Sequence, residues 1–360
     1  MVLALFERAG YDNDFAQATL EKALTFDKSL APVQKDSTER ADYAKSYNKY
    51  SFEDYTAFSK SVDLGAFAKK LIGQTPDQVI VDEPKYYEAL ETLINPDTFE
   101  NFKSWLLVKT LISVSTLLDD DTRVLAGTYS RALSGSKEAM KAQKAAFYLA
   151  TGQFSQVVGL YYAHKYFGAK AKADVHHMVE KMIDVYKNRL ASNDWLSDDT
   201  RQKAIVKLNT LGINVGYPDK LDPLYTKFVV DEDTDLVTND LNFTQISLKE
   251  HYGRWGKDVD RNRWEMPAHM VNAYYNPSFN LIVFPAAILQ APFYSLDQSS
   301  SENFGGIGAV IAHEISHAFD NNGAQFDEFG NLHNWWTDKD LKHFQGLAQD
   351  MIAEFDGLET

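Results

Sequence analysis

Apolar residues recur at helical spacing through most of the first part of the chain, from residue 10 to about residue 212. Phe99, Phe102 and Leu106 keep this spacing directly after NPDT at 95–98, which is a typical helix start. Positions three and four apart share one face of an α-helix, so the pattern predicts amphipathic helices packed around a core. The strictest stripe consists of Val175, Met178, Val179, Met182, Ile183 and Tyr186.

Turn-forming and acidic residues interrupt this pattern further along the chain. GYPD at 216–219 is a turn cluster that ends the helical run, and the acidic segment 230–235 has the composition of a loop. A chain of 360 residues also exceeds what one hydrophobic core usually organises. We therefore predict two domains, a helical one at 1–236 and a second one at 237–360.

The second domain begins with residues that favour strands. Segment 265–275 is rich in strand formers, NPS at 276–278 is a turn, and 281–284 reads as a second strand closed by Pro285. This order predicts a β-hairpin. Helical patterns follow at 304–319, with Gly323 as a stop signal, and at 339–355. The predicted fold class is mainly α with a small β component.

Composition and charge exclude several classes of function. The 36 basic residues are outnumbered by 51 acidic ones, which gives a net charge of −15 and no basic stripe for a nucleic acid. The most apolar stretch, 105–118, is too short to cross a membrane and carries Lys109. The chain has no cysteine, which excludes thiolate metal ligands and fits a reducing compartment, most simply a bacterial cytoplasm.

The residues that carry candidate chemistry are His-Glu-Ile-Ser-His at 313–317, inside the helix predicted at 304–319. On a helix, His313 and His317 project from one face one turn apart, where two imidazole nitrogens can share one zinc ion at about 2.0–2.1 Å. Glu314 lies about 100° round the helix, which suits a general base for a metal-activated water. The pattern predicts a zinc peptidase with His313 and His317 as ligands and Glu314 as the catalytic base.

Two incidental histidines on a solvated helix face are the alternative interpretation of this segment. The neighbouring glycines at 305, 306 and 308 permit close backbone approach and favour the metal site. In the extended form of the motif a glycine and a third histidine occupy the positions held here by Asp320 and Gly323. The remaining common solution is a glutamate from a separate downstream helix, with water in the fourth position.

Taken together with other segments, the motif resembles the neprilysin-like zinc endopeptidases, specifically the bacterial oligopeptidase O type. The likeness covers nearly the whole chain, although it is looser in the helical region that ends at 219. The segments that carry it are NAYY at 272–275, IVFPAAILQ at 282–290, NFGGIG at 303–308, HEISHAFD at 313–320, GNL at 330–332 and WW at 335–336.

The resemblance implies a helical domain over a thermolysin-like zinc peptidase domain, with short peptides as substrates. By this interpretation residues 1–236 act as a size filter that excludes folded proteins. Asn272 and Ala273 match the stretch that holds the backbone of a peptide substrate, as an exposed strand edge can do. Asp320 is expected to have a structural role, as a helix-end cap or hydrogen-bond partner.

The chain departs from the family pattern at both ends. The family's third zinc ligand lies in a Glu-Asn-x-x-Asp motif, which does not occur before Thr360, and the family's opening segment is also missing. We therefore expect an internal portion of a longer enzyme, whose isolated chain binds zinc weakly or not at all and has little activity. One alternative is a non-catalytic helical peptide-binding or scaffold protein. Another, weaker one treats Trp335, Trp336 and the many tyrosines as a surface for a carbohydrate or an aromatic ligand.

Overall fold

The structure is a computed structural model that describes residues 1–358. It is 59% helix and 6% strand, which confirms the predicted mainly α fold class with a small β component. The helices are α1 Val2–Arg8, α2 Asn13–Leu30, α3 Ser37–Ala41, α4 Phe52–Ala57, α5 Leu64–Ile72, α6 Pro84–Glu88, α7 Leu90–Leu93, α8 Phe99–Ser115, α9 Asp120–Ala126, α10 Thr128–Leu133, α11 Ala142–Gln153, α12 Ser155–Tyr166, α13 Gly168–Ala191, α14 Asp198–Asn209, α15 Leu236–Tyr252, α16 Ser300–Gly305, α17 Ile307–Ser316 and α18 Asp338–Phe355.

The strands form two small sheets. Their bounds are β1 Asn48–Ser51, β2 Gln78–Val81, β3 Gly212–Gly216, β4 Tyr274–Asn276 and β5 Leu281–Pro285. β1 and β2 pair antiparallel, and the second sheet has the order β3-β5-β4. In that sheet β3 runs parallel to β5, and β4 runs antiparallel to it at the edge. The sequence did not predict β1, β2 or β3, because strands of four or five residues give too short a period-two signal.

The chain divides into two compact units. One consists of Met1–Gly152 with Pro223–Lys257, and the other of Gln153–Asp222 with Asp258–Thr360. This division differs from the predicted boundary near residue 236. The reason is that α13, α14 and β3 pack with the strands and helices that follow residue 258, although they precede the predicted boundary. The roles assigned to 1–236 and 237–360 stay predictions.

The first unit is organised by the packing of α2 against α8. The ring of Phe26 lies 5.3 Å from that of Phe102 and 5.5 Å from that of Trp105, so aromatic contacts fill the space between these helices. Asp12 begins α2 by accepting a hydrogen bond from the Phe15 N–H. Across residues 1–358, no helix has both the length and the apolarity needed to cross a membrane.

The second unit is built around β5, whose residues are all buried. Ile282 and Phe284 belong to one core with Val175 and Val179 of α13. Three isoleucines of α17, Ile307, Ile311 and Ile315, complete this core and have no exposed surface. The strict apolar stripe of α13 therefore does pack as predicted, and it fixes α17 against the sheet.

The β-hairpin is present, but its first strand is shorter than predicted. β4 covers only Tyr274–Asn276, whereas strand formers begin at residue 265. The reason is tertiary: before Tyr274 the chain forms turns, and Met270 donates to the Pro267 carbonyl. The turn that follows ends at Asn280, which is fully buried and has a φ of 45°.

The helix predicted at 304–319 is two helices in the structure. It is interrupted at Gly306, where a Cβ would collide with the carbonyl oxygen of Phe293. That carbonyl accepts the N–H of Ile307 at 2.8 Å and so begins α17. The helix ends at Ser316, before the predicted stop at Gly323, because Ala318 and Phe319 donate in the tighter i to i−3 pattern.

Candidate metal centre and active site

The two faces of α17 have different chemistry. The isoleucine face is buried in the core, while His313 and His317 project from another face one turn apart. Their Nε2 atoms lie 3.0 Å from each other, and the rings meet edge to face with centroids 4.5 Å apart. The two nitrogens thus converge on one point outside the helix.

His317 is oriented by Asp320. The Nδ1 atom of His317 lies 2.7 Å from Asp320 Oδ2, and the other carboxylate oxygen accepts hydrogen bonds from the backbone N–H groups of Asn322 and Gly323. An ionised carboxylate only accepts hydrogen bonds, so Nδ1 carries the proton and Nε2 keeps its lone pair. A lone pair held in this way is what a metal ligand requires.

Glu314 lies beside the histidine pair and is only 6% exposed. Burial raises the pKa of its carboxyl above the ordinary value, and the neighbouring imidazoles together with a hydrogen bond from the Tyr275 backbone oppose this shift only in part. A raised pKa makes the carboxylate a stronger base. Its position is therefore chemically suited to accept a proton from water held near the two Nε2 atoms.

The histidine pair fits a zinc ion in donor type and in spacing. Two ligands of a tetrahedral zinc with bonds of about 2.0–2.1 Å are separated by roughly 3.3 Å, close to the 3.0 Å observed. Within the described part of the chain, however, no group of three or more His, Cys, Asp or Glu side chains could hold a metal. The residues present supply two ligands of a site.

Tyr186 of α13 holds α17 in place. Its hydroxyl donates to the carbonyl oxygen of Ala312 at 2.9 Å, directly before the first histidine. The sequence placed Tyr186 in an apolar stripe and therefore predicted packing alone. A tyrosine at the end of such a stripe is the only signal of the additional hydrogen bond.

Asn272 and Ala273 lie immediately before β4, the edge strand of the sheet. Asn272 is exposed, and its side-chain oxygen accepts the N–H of Ala273 at 2.9 Å. Tyr275, two residues further on, is the backbone donor to Glu314. The segment thus lies next to the candidate base, and its assigned contact with substrate stays a prediction.

Lys207 of α14 was not predicted to belong to the surroundings of the site. It is only 1% exposed, and its ammonium donates to the carbonyls of Gly323 and Phe326 at 2.5 and 2.7 Å. No pattern in the sequence indicates this contact, since one lysine among the polar residues of α14 is typical of a solvated helix face.

Comparison with known proteins decides the family. Models of Peptidase family M13 match residues 1–218 and 272–360, which is most of the chain. The chain belongs to Peptidase family M13. The resemblance to neprilysin-like zinc endopeptidases is therefore confirmed, and so is the assignment to a family of metallopeptidases.

Two bacterial M13 proteins illustrate the likeness. A neutral endopeptidase of Lactococcus lactis subsp. lactis is 47% identical over 350 residues, which cover 97% of this chain and 56% of that protein. The crystal structure of PepO from Lactobacillus rhamnosis is 41% identical with a TM-score of 0.94, over 100% of this chain and 57% of that one. The fold of this M13 chain is thus that of PepO over the shared region.

A more distant M13 structure agrees. The zinc metalloprotease Zmp1 of Mycobacterium tuberculosis, solved in complex with an inhibitor, is 30% identical with a TM-score of 0.87 and covers 98% of this chain and 53% of that one. This chain therefore spans a little over half the length of these three relatives.

Proposed function

We propose that this chain carries the ligand-pair and catalytic-base portion of a zinc-dependent endopeptidase that hydrolyses short peptides. The observation that carries the proposal is the convergence of His313 Nε2 and His317 Nε2 to 3.0 Å beside the buried carboxylate of Glu314. Membership of Peptidase family M13 supports the same reaction. The net charge of −15 continues to argue against a nucleic-acid partner.

In this proposal each residue has a separate task. His313 and His317 would hold the metal through Nε2, and Asp320 keeps the proton of His317 on Nδ1. A bound zinc ion supplies a Lewis acid that acidifies water and polarises the scissile carbonyl. Glu314 accepts a proton from the attacking water and passes it to the leaving amine nitrogen. The Tyr275 backbone hydrogen bond keeps the Glu314 carboxylate aimed at that water.

Substrate binding is assigned to the segment before β4. Asn272 and Ala273 would hold the peptide backbone at the sheet edge, which suits addition of an extended peptide as a further strand. Residues 1–236 would limit the size of the substrate. The cytoplasmic location stays a prediction from the lack of cysteines.

Two ligands leave the coordination of zinc incomplete. We infer that the third ligand comes from outside residues 1–358, because no triplet of ligating side chains is present within them. We expect the 360-residue chain alone to bind zinc weakly and to have little activity, because a site that lacks one of its ligands has a lower affinity for the metal.

The experiment is the cleavage of a fluorogenic short peptide by the full gene product, with bound zinc measured in parallel. Glu314→Gln should abolish cleavage and retain zinc. Glu180→Gln is the matched control, since Glu180 also lies near two helical histidines, His176 and His177, but on an exposed surface. That control should cleave normally, and a chelator should inhibit both the wild-type protein and Glu180→Gln. Peptide binding without cleavage, indifferent to the chelator, would instead support the non-catalytic scaffold.

A further inference from the structure

Lys207 is an unusual side chain because its charged end is buried. It is 1% exposed, and its ammonium donates to two backbone carbonyls rather than to a carboxylate. The rings of Trp335 and Tyr275 lie 5.5 and 5.8 Å from the Nζ atom and form the apolar part of its surroundings. Burial of an ammonium group costs considerable free energy, even where hydrogen bonds compensate for part of it.

A packing role does not explain this arrangement. A methionine has a similar length and carries no desolvation cost, but it would remove a donor from the carbonyls of Gly323 and Phe326, so volume alone does not account for the lysine. What the lysine adds is a pair of directed hydrogen bonds to Gly323 and Phe326. Both acceptors lie in the connection that leaves the C-terminal end of α17.

Gly323 links this lysine to the histidine pair. Its carbonyl accepts from Lys207, while its N–H donates to Asp320 Oδ1 at 2.7 Å. Asp320 Oδ2 in turn lies 2.7 Å from His317 Nδ1. Gly323 also packs directly on His317, since a Cβ at this position would collide with the His317 carbonyl oxygen. A shift of Gly323 would therefore move Asp320 and release the imidazole.

The same connection is fixed from a second direction. Asn280, fully buried at the end of the hairpin turn, donates through Nδ2 to the carbonyls of Lys207 and Glu328 at 3.1 and 3.3 Å. The hydroxyl of Tyr275 donates to the Asn280 side-chain oxygen. Asn280 thus joins the C-terminal turn of α14 to the connection after α17.

We propose that Lys207 is a positioning residue for the metal site, acting through Gly323 and Asp320 on the orientation and tautomer of His317. The proposal rests on the proposed function only in assigning a metal to the two Nε2 atoms. Its first consequence concerns the metal-free chain, in which Lys207 should keep His317 in the Nδ1–H form with Nε2 free. Its second concerns the affinity of the site for zinc.

The test compares Lys207→Met with a matched control, Lys172→Met. Lys172 lies on α13 of the same unit, and its ammonium also donates to a backbone carbonyl, that of Tyr217 at 2.9 Å, away from the histidine pair. The tautomer of His317 is measured by nitrogen-15 NMR on the metal-free full gene product labelled at histidine. Zinc affinity is measured by competition with a chromophoric chelator, and thermal unfolding is recorded for each variant.

We expect Lys207→Met to shift His317 towards the Nε2–H tautomer and to weaken zinc binding by roughly tenfold, the lower end of the effect typical of an outer partner of a ligand. Lys172→Met should lower thermal stability without changing the tautomer or changing the zinc affinity more than about twofold. If Lys207→Met does not fold, Lys207→Gln, which keeps a shorter donor, should give the same shift in smaller measure.

The proposal is overturned if a folded Lys207 variant keeps the wild-type tautomer of His317, whatever happens to its stability. A wild-type full gene product that binds no zinc at all counts against the proposed function and leaves the tautomer measurement to decide the role of Lys207. If the wild-type protein binds zinc but the Lys207 variant keeps the wild-type tautomer, the proposed function is supported and Lys207 has only a structural role.

Discussion

The Nδ1 atom of His317 lies 2.7 Å from Asp320 Oδ2, and this contact places the ring proton on the side away from His313. The Nε2 atom of His317 therefore keeps its lone pair and faces His313 Nε2 at 3.0 Å. Binding of a metal through His313 Nε2 would require the Nδ1–H tautomer of that ring, a shift that moves its proton between the two nitrogens and releases none.

Asp320→Asn tests this arrangement directly. The amide is uncharged and can turn its NH₂ group towards the ring, so we expect zinc affinity to fall roughly 10–100-fold with little loss of helix content. Chelator competition measures the affinity. Asp174→Asn is the control, because Asp174 also pairs with a ring-bearing side chain, accepting from the hydroxyl of Tyr294 at 2.8 Å, away from the histidines. Equal affinity in the two variants would contradict the assigned role.

Lys207 should give the chain an unusual dependence of stability on pH. Burial lowers the pKa of its ammonium to about 7, with Asp320, Asp327 and Glu328 opposing the shift, whereas the unfolded chain has the ordinary value of 10.5. Between these values the unfolded state binds more protons, so the free energy of unfolding should rise with pH from about 7 to 10.

Urea unfolding at about pH 7, about pH 8.5 and about pH 9.5 measures this rise in the free energy of unfolding. We expect Lys207→Met to remove it and Lys172→Met to keep it. Above about pH 10 the opposite trend should begin, because burial raises the pKa of Tyr275 and the unfolded state then loses that proton first. A rise of equal size in both lysine variants would show that other groups cause it.

Tyr186→Phe removes the hydroxyl that donates to Ala312 in front of the first histidine. We expect a loss of about 1–2 kcal/mol in the free energy of unfolding, because the partly buried Ala312 carbonyl loses its side-chain donor. Tyr161→Phe, at a residue that is 67% exposed, should change stability by less than about 0.5 kcal/mol. No difference between the two phenylalanine variants would mean that α17 does not depend on this bond.

Asp340 should contribute to stability through its charge. Burial acts to raise its pKa, but hydrogen bonds from Ser197, Thr200 and Thr337 outweigh burial and hold the pKa at about 2. The ordinary value is 3.8, so the contribution is complete above that pH and is lost as pH falls towards 2. Asp340→Asn should lower stability at neutral pH by about 1–3 kcal/mol and flatten the acid limb of the curve.

Thermal unfolding between about pH 6 and pH 2 checks this prediction, with Asp338→Asn as the control. Asp338 begins the same helix, but it is exposed. If stability falls as steeply with decreasing pH in Asp340→Asn as in the control, groups other than Asp340 cause the acid sensitivity.

The parts of the site that sequence predicts are those encoded within one helix. His313, Glu314 and His317 are within five residues of each other, and helical geometry alone brings the two imidazoles together. The stripe from Val175 to Ile183 likewise predicts the face of α13 that packs on the sheet. In both cases the signal is local and repeats with the period of the helix.

The remaining features depend on residues far apart in the chain. The parallel pairing of β3 with β5 joins residue 212 to residue 281, and strands this short do not specify their partners. Lys207 and Gly323 are 116 residues apart in sequence and meet only in the folded second unit, and lysine is a residue type that favours the surface. Asn280 has a left-handed backbone conformation, and no neighbouring glycine in the sequence indicates it.

The location of zinc in crystals of the full gene product, found from anomalous scattering at the zinc edge, tests the central claim most directly. We expect one strong anomalous peak at about 2.0–2.1 Å from the Nε2 atoms of His313 and His317, with the Glu314 carboxylate beside the metal and not bonded to it. A peak at His176 and Glu180 instead, or a Glu314 oxygen bonded to the metal in place of a water, would contradict it.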